Sequence, residues 1–171
     1  MIIRSLSLVD LKSTLLADFR HEQHWSQQWV STPDGWLLQS VSGTRSWDAD
    51  KRRWLPDYLA EHLTRDGKVF GAFSADRLVG FAAVDGNIID GYAPLTMLFV
   101  EDDCKRQGIG GALFMQAAAA AKELGATKLF IPAIPSEATV AFYFAMGCVD
   151  AQTIIPQFLD TDKDRLLELT L

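Results

Sequence analysis

Cysteine is scarce in this chain: Cys104 and Cys148 are the only two in 171 residues. That number cannot build a disulfide framework, and two reduced thiols in a cytoplasmic protein are the expectation. Neither a CxxC nor an HExxH spacing occurs, so a zinc site lacks its usual ligands and no metal is expected. No window reaches the roughly 18 uninterrupted apolar residues of a membrane-crossing helix. The opening "MIIRSLSLVDLK" has no charged leader followed by a long apolar run, which reads as no secretion signal. Positive charge is also short. A formal net charge of −6 excludes wholesale attraction to nucleic acid or to an anionic membrane, so any polyanion must be held by a local cluster. Repeats and long linkers are missing too, and residues 1–171 read as a single domain.

What is present is an ordinary globular balance, 49% hydrophobic and 22% charged, enough to bury a real core. "MIIRSL" reads as a strand. Ser7, with Asp10 three residues on, reads as an N-cap ahead of Leu8, Leu11, Leu15 and Phe19 at helical spacing. His21 and His24 would then lie near one helical face, as a metal pair or, the blander reading, as a solvated face. "STPDGW" and "SGTRSW" read as turns or loops. "PDYLAEHLTRD" is expected as a helix with Pro56 near its start and Gly67 past its end. The segment "KVFGAFSADRLVGFAAVDG" predicts two strands around Ala75 to Arg77, and Leu95 to Val100 another. Gly110 to Leu124 predicts an alanine-rich helix stopped by Gly125. "KLFIPA" follows as a strand, then Ser136 to Met146 as a helix with Ser136 as N-cap. "CVDAQTII" and "LLELTL" close the chain as strands. Strands and helices mix without strict alternation, which predicts a mixed α/β sheet.

The segment "KRQGIGGALF", Lys105 to Phe114, stands where a strand turns into a helix. Amides in a first helical turn lack intrahelical partners, and the macrodipole leaves partial positive charge there. Glycines 108, 110 and 111 remove the Cβ atoms that would block phosphate oxygens, while Lys105 and Arg106 add formal charge. A plain turn and N-cap is the competing structural reading. Among phosphate loops, the P-loop needs GxxxxGK[ST], and no Lys-Ser or Lys-Thr follows. The dinucleotide pattern GxGxxG needs glycine where Leu113 stands.

The third pattern, [QR]xxGx[GA], resembles the acetyl-CoA loop of the GNAT superfamily of N-acetyltransferases. Lys105 departs from the usual Gln or Arg but keeps charge and length. "SEATVAFYFAMGC", Ser136 to Cys148, is similar to that family's later N-x-x-A-x-x-[FL]-Y-x-x-x-G-F pattern, with Ser136, Thr139 and Cys148 as departures. The resemblance implies a GNAT-like sheet, mostly antiparallel with a central splay and helices on both faces. It implies acetyl-CoA as cosubstrate, bound by Leu98, Phe99, Val100, Lys105, Arg106, Gln107, Gly108, Ile109, Gly110, Gly111 and Ser136. The pantetheine arm would lie between the Leu95 to Val100 strand and the Lys128 to Ile131 strand.

The same resemblance implies direct attack by a primary amine in a ternary complex, with Tyr143 donating a proton to the leaving thiolate. Tyr143 as a packed core residue is the bland alternative. A carboxylate early in the fourth strand serves as base in some members, but Gly91 to Val100 contains none. Asp85 and Asp90 are the nearby candidates, and Asp102 and Asp103 read as solvated charges. Tryptophans 25, 29, 36, 47 and 54 fall in one stretch, either as packing or as an aromatic wall for the acceptor. A small-molecule amine is expected ahead of a protein one, with no nucleic acid or membrane partner, and homodimers are common in the family. A non-catalytic CoA-binding module is the alternative function.

Overall fold

The apolar stretches of the middle and end of the chain become strands of one sheet. The computed structural model describes residues 1–171. In chain order they form β1 (Ile2–Ser5), β2 (Glu22–Trp25), β3 (Gln28–Thr32), β4 (Gly35–Gln39), β5 (Gly43–Ser46) and α1 (Ala49–Thr64). Then come β6 (Lys68–Ser74), β7 (Arg77–Val84), β8 (Tyr92–Val100), α2 (Ile109–Glu123), β9 (Lys128–Ala133), α3 (Glu137–Ala145), β10 (Val149–Asp150) and β11 (Arg165–Thr170). The seven-stranded sheet runs β1-β6-β7-β8-β9-β11-β10. Every pair in it is antiparallel except β8 with β9.

Alternation along β7 sends Ala82 and Val84 to one face and Phe81 and Ala83 to the other. The first face packs beneath α2, whose Ala117, Ala118, Ala120 and Ala121 are buried with Leu113 and Phe114. The second packs beneath α1 through Leu55 and Leu59, with Leu11, Leu16, Phe19 and Trp47 filling around them. The α/β sheet with helices on both faces is therefore present.

Several local expectations are corrected. Residues 8–18 form successive tight turns rather than a helix, with backbone bonds such as Leu15 N to Lys12 O and Phe19 N to Leu16 O. Arg4 holds Asp10 at 2.8 Å, and Asp10 in turn accepts from both Ser7 N and Ser7 Oγ. The carboxylate is thus tied back to β1 instead of opening a helix. Leu11, Leu16 and Phe19 still reach the core, while Leu8 stays exposed.

Helix α1 begins seven residues before Pro56, because Asp48 caps it by accepting from Lys51 N at 2.7 Å. Pro56 sits mid-helix, where it has no N–H to offer the Arg52 carbonyl. The tryptophan-rich region is two small antiparallel ribbons, β2 with β5 and β3 with β4, rather than loops. Only Val149–Asp150 of "CVDAQTII" is strand.

If Asp48 rather than Pro56 starts α1, Asp48→Ala should lower unfolding stability by about 1 kcal/mol. Urea denaturation measures this, and an unchanged midpoint would put the helix start elsewhere.

Candidate functional site

Parallel pairing of β8 with β9 lasts only from Tyr92 to Pro94, opposite Lys128 to Phe130. Beyond it the strands separate, so the gap faces Ile131 to Ala133 rather than all of Lys128 to Ile131. A bulge explains the parting. Leu95 is opposite Val84 and Met97 opposite Ala83, so Thr96 is an extra residue on β8 and bends it. Pro132 in β9 has no N–H with which to close the gap.

The bond from Glu101 N to Val79 O sets the phase of the β7–β8 ladder. Hydrogen-bonded pairs recur every second residue, so Phe99 faces β7. The amides and carbonyls of Leu98 and Val100 therefore point to the open edge. Of the strand residues expected at the cosubstrate, those two have free backbone, whereas Phe99 offers its side chain.

At the end of β8 the chain turns through Arg106 and Gly108, both with positive φ (62° and 81°), into α2. The first helical bond is Ala112 N to Gly108 O, and no side chain caps the helix. The amides of Ile109, Gly110 and Gly111 thus have no intrahelical partner. A turn accounts for Gly108 alone. A Cβ at Gly110 would meet Phe142 and Val100 carbons only at 3.6 Å, and one at Gly111 would meet Met146 Sδ at 3.6 Å. Packing does not require glycine at either position.

The cations at this loop differ from each other. Lys105 Nζ donates to the Glu22 carbonyl at 2.9 Å and pairs with Asp102 at 2.5 Å. Asp102 also accepts from Glu22 N at 2.8 Å. The pair anchors β2 to the loop, so Asp102 is no solvated charge and Lys105 is half neutralised. Arg106 is exposed and makes no ion pair, which leaves it the free cation here. Gln107 is exposed. Ser136 is the N-cap of α3 and wholly buried, bonded to Thr139 and Gln23. That hydroxyl is spent inside the protein rather than offered to a ligand.

Two cavities meet over the open edge. One, about 690 Å³, runs from Arg106, Gly108, Gly110 and Gly111 to Tyr143. The other, about 560 Å³, runs from Leu98 and Tyr143 to Tyr58, Thr96, Asp85 and Asp164. His21, Gln23, Leu98, Phe99, Thr139 and Tyr143 line both. Tyr143 is 8% exposed, and its hydroxyl is not hydrogen-bonded within the protein. Burial, with a smaller push from Cys148, raises the phenol above its ordinary value, so it keeps its proton at neutral pH. Burial likewise pushes the Cys148 thiol up to about 12.

No tryptophan lines either cavity. Trp47 is core, and Trp29 and Trp36 sit with Phe144 around the buried Arg165 guanidinium at 4.8, 4.9 and 5.1 Å. The cation these rings hold is the protein's own, so the aromatic wall for an acceptor is withdrawn. His21 and His24 do not share a helical face. His24 is exposed on β2 beside Thr44 and Glu22, whereas His21 packs against Trp47 and Phe99. Asp85 lines the second cavity and accepts from Asn87 N at 2.9 Å. Asp90 is an exposed turn residue. His21, Gln23 and Thr96 had no motif to mark them in the sequence, since tertiary approach alone brings them to the cleft.

An uncapped helix start, a splayed strand pair and a second cavity lie end to end along the open edge of β8. A model of the acetyltransferase (GNAT) domain matches residues 45–153. The chain belongs to the GNAT acetyltransferase family, and it is an acetyl-CoA-dependent N-acetyltransferase. Among solved structures it is similar to a nourseothricin acetyltransferase at 19% identity and a TM-score of 0.68, over 98% of this chain and 95% of that one. A protein described as a streptothricin acetyltransferase from Bacillus anthracis strain Ames, in complex with acetyl coenzyme A, gives 19% and 0.69 over 99% and 98%. The ribosomal-protein-S18-alanine N-acetyltransferase from Escherichia coli gives 19% and 0.60 over 99% and 92%. No curated protein sequence matches the chain.

Gly110→Ala should leave the fold intact, because its Cβ falls at ordinary contact distance, and Gly110→Asp should abolish acetyl-CoA binding through charge and bulk. Calorimetry with acetyl-CoA reads both, and undiminished binding by the Asp variant removes the loop from the site.

His21 generates a pH prediction. Burial first, then Lys105, Arg45 and Lys51 against the pull of Asp102, lower its pKa from 6.5 to about 4. As pH falls through 6.5 the unfolded chain takes up a proton that the folded chain refuses until about 4. Stability therefore drops across that interval, and His21→Phe should flatten the drop in thermal midpoint. Equal slopes would exclude His21 as its source.

Proposed function

We propose that the protein moves the acetyl group of acetyl-CoA to a primary amine of a small molecule, by direct attack in a ternary complex. The observation that carries this reading is the junction of the two cavities at Leu98 and Tyr143. One cavity ends in an anion cradle, the other in open space for a second substrate. The free amides of Ile109, Gly110 and Gly111, with Arg106, would hold the diphosphate. The open edge at Leu98 and Val100 would take the pantetheine arm as an added strand. Acetyl-CoA supplies an activated thioester, so the chain need only orient it and manage charge.

The Leu98 amide, already unpaired and fixed by the sheet, would meet the developing oxyanion, and such preorganised donors are usually the largest catalytic contribution. Tyr143, kept protonated by burial and free of internal partners, would stand as the hydrogen-bond and proton donor to the departing thiolate. The acceptor cavity is lined by Asp85, Asp160 and Asp164 against Arg45 and Arg65, which suits a cationic amine. Its volume, about 560 Å³, is in the range of small-molecule pockets. Fold neighbours named for an antibiotic and for a ribosomal protein leave the acceptor class to the cavity itself. A non-catalytic module would leave both Tyr143 and that second cavity without a role.

A panel of primary amines, with released thiol as readout, tests the proposal: at least one small amine should give turnover. Tyr143→Phe should then lower kcat by about 10²-fold with acetyl-CoA affinity unchanged. Binding without thiol release across the panel would favour the module, and full activity of the Phe variant would demote Tyr143 to packing.

A further inference from the structure

We infer that Thr96 and His62 form a proton relay that receives the proton of the acceptor amine, in place of the carboxylate that β8 lacks. The inference rests on the reading of the cleft as an acetyl-transfer site. Thr96 is the extra residue of the β8 bulge and lines the acceptor cavity, two residues before Leu98. Its Oγ lies 2.7 Å from His62 Nε2 and 3.2 Å from the Ala83 carbonyl oxygen. His62, near the end of α1, is 1% exposed, and its Nδ1 lies 2.9 Å from the Tyr58 carbonyl oxygen. The Tyr58 ring meets the imidazole edge-on, with centroids 4.8 Å apart.

These partners decide where the protons sit. A carbonyl oxygen only accepts, so Nδ1 must carry hydrogen. In the neutral ring Nε2 then has a lone pair, and the proton facing it is the one on Thr96 Oγ. The hydroxyl donates toward His62, which leaves its own lone pairs for a donor in the cavity. A buried base held in one tautomer by a third group, with a hydroxyl in front of it, is the general arrangement for moving a proton at a reacting atom.

The step balances. The amine first leaves its extra ammonium proton to cavity water; then, as the neutral nitrogen bonds to the acetyl carbon, one N–H proton passes to Thr96 Oγ and the former hydroxyl proton passes to His62 Nε2. The electron pair of the broken N–H bond stays on nitrogen, the C–S bond breaks, and the thiolate takes the Tyr143 proton. Nε2–H then donates back to Thr96 Oγ, whose new proton turns to the Ala83 carbonyl. Both end states keep every proton bonded. After product leaves, His62 returns its proton through Thr96 to cavity water, and Tyr143 is reprotonated from solvent.

A purely structural tie between α1 and the bulge would use the same bonds, so the test needs readouts beyond stability. Nitrogen-15 NMR of the imidazole in the full chain should show Nδ1 protonated and Nε2 unprotonated but hydrogen-bonded, with that bond lost in Thr96→Val. A ring protonated on Nε2 alone overturns the relay. With an amine that the wild type acetylates, Thr96→Val and His62→Phe should each lower kcat about 10²-fold. Thr96→Ser should recover most of the rate, and acetyl-CoA affinity by calorimetry should be unchanged throughout. Mass spectrometry after acetyl-CoA alone should find Thr96 unmodified; an acetyl-Thr96 would make it a nucleophile and overturn the relay. Turnover that survives Thr96→Val removes the relay while leaving acetyl transfer standing. A panel in which no amine is acetylated removes the acetyl-transfer reading, and the relay with it.

Discussion

The rest of the molecule depends on the early end of one strand pairing. β8 and β9 share a parallel ladder for Tyr92 to Pro94, and then β8 spends an extra residue at Thr96 and bends away. A sheet edge left open in the middle of a sheet costs free energy, because N–H and C=O groups there have no protein partner. The structure tolerates it because α2 and α1 pack on either face of the neighbouring strands, with Leu113, Phe114, Leu55 and Leu59 all essentially buried. Those packed faces keep the gap from collapsing and leave the backbone groups of Leu98 and Val100 unpaired.

The loop after β8 extends the same logic. Positive φ at Arg106 and Gly108 swings the chain so that α2 starts with bare amides facing the same opening as the strand edge. The Lys105–Asp102 pair looks like surplus charge in sequence, yet it fastens this loop to β2 through Glu22. β2 in turn carries Gln23, which bonds Ser136 and Thr139 at the start of α3. One chain of polar contacts therefore holds the loop, the small ribbon and the tyrosine helix in register around the cleft. Charge that seemed to await a ligand is partly structural, and the scaffold it builds leaves Arg106 as the unpaired cation.

Local chemistry was legible wherever it was local. The hairpin at Ala75 to Arg77, the glycine-led helix, the strand at Lys128 and the Ser136 cap could be read because each is set by neighbours in sequence. Reading failed where a distant group overruled a local pattern. Ser7 and Asp10 have the spacing of a helix start, but Arg4 on β1 claims the carboxylate. Pro56 looks like a first-turn proline, but Asp48 captures the Lys51 amide and starts α1 seven residues ahead of that proline. The tryptophans suggested a wall for an amine, but Arg165, more than a hundred residues further on, takes two of them.

By itself the sequence determined the family, because that rests on residue types at fixed spacing: glycines without Cβ after a strand, a cation beside them, and a tyrosine five residues before the close of its motif. Only the tertiary structure decided which backbone groups are free and which are used, since ladder phase, the Thr96 bulge and the splay depend on the pairing of β8 with both neighbours. It also decided that His21 and Thr96 stand at the cleft, with His62 behind Thr96. Their side chains reach one place only when α1, β2 and β8 pack together, and no spacing along the chain encodes that approach.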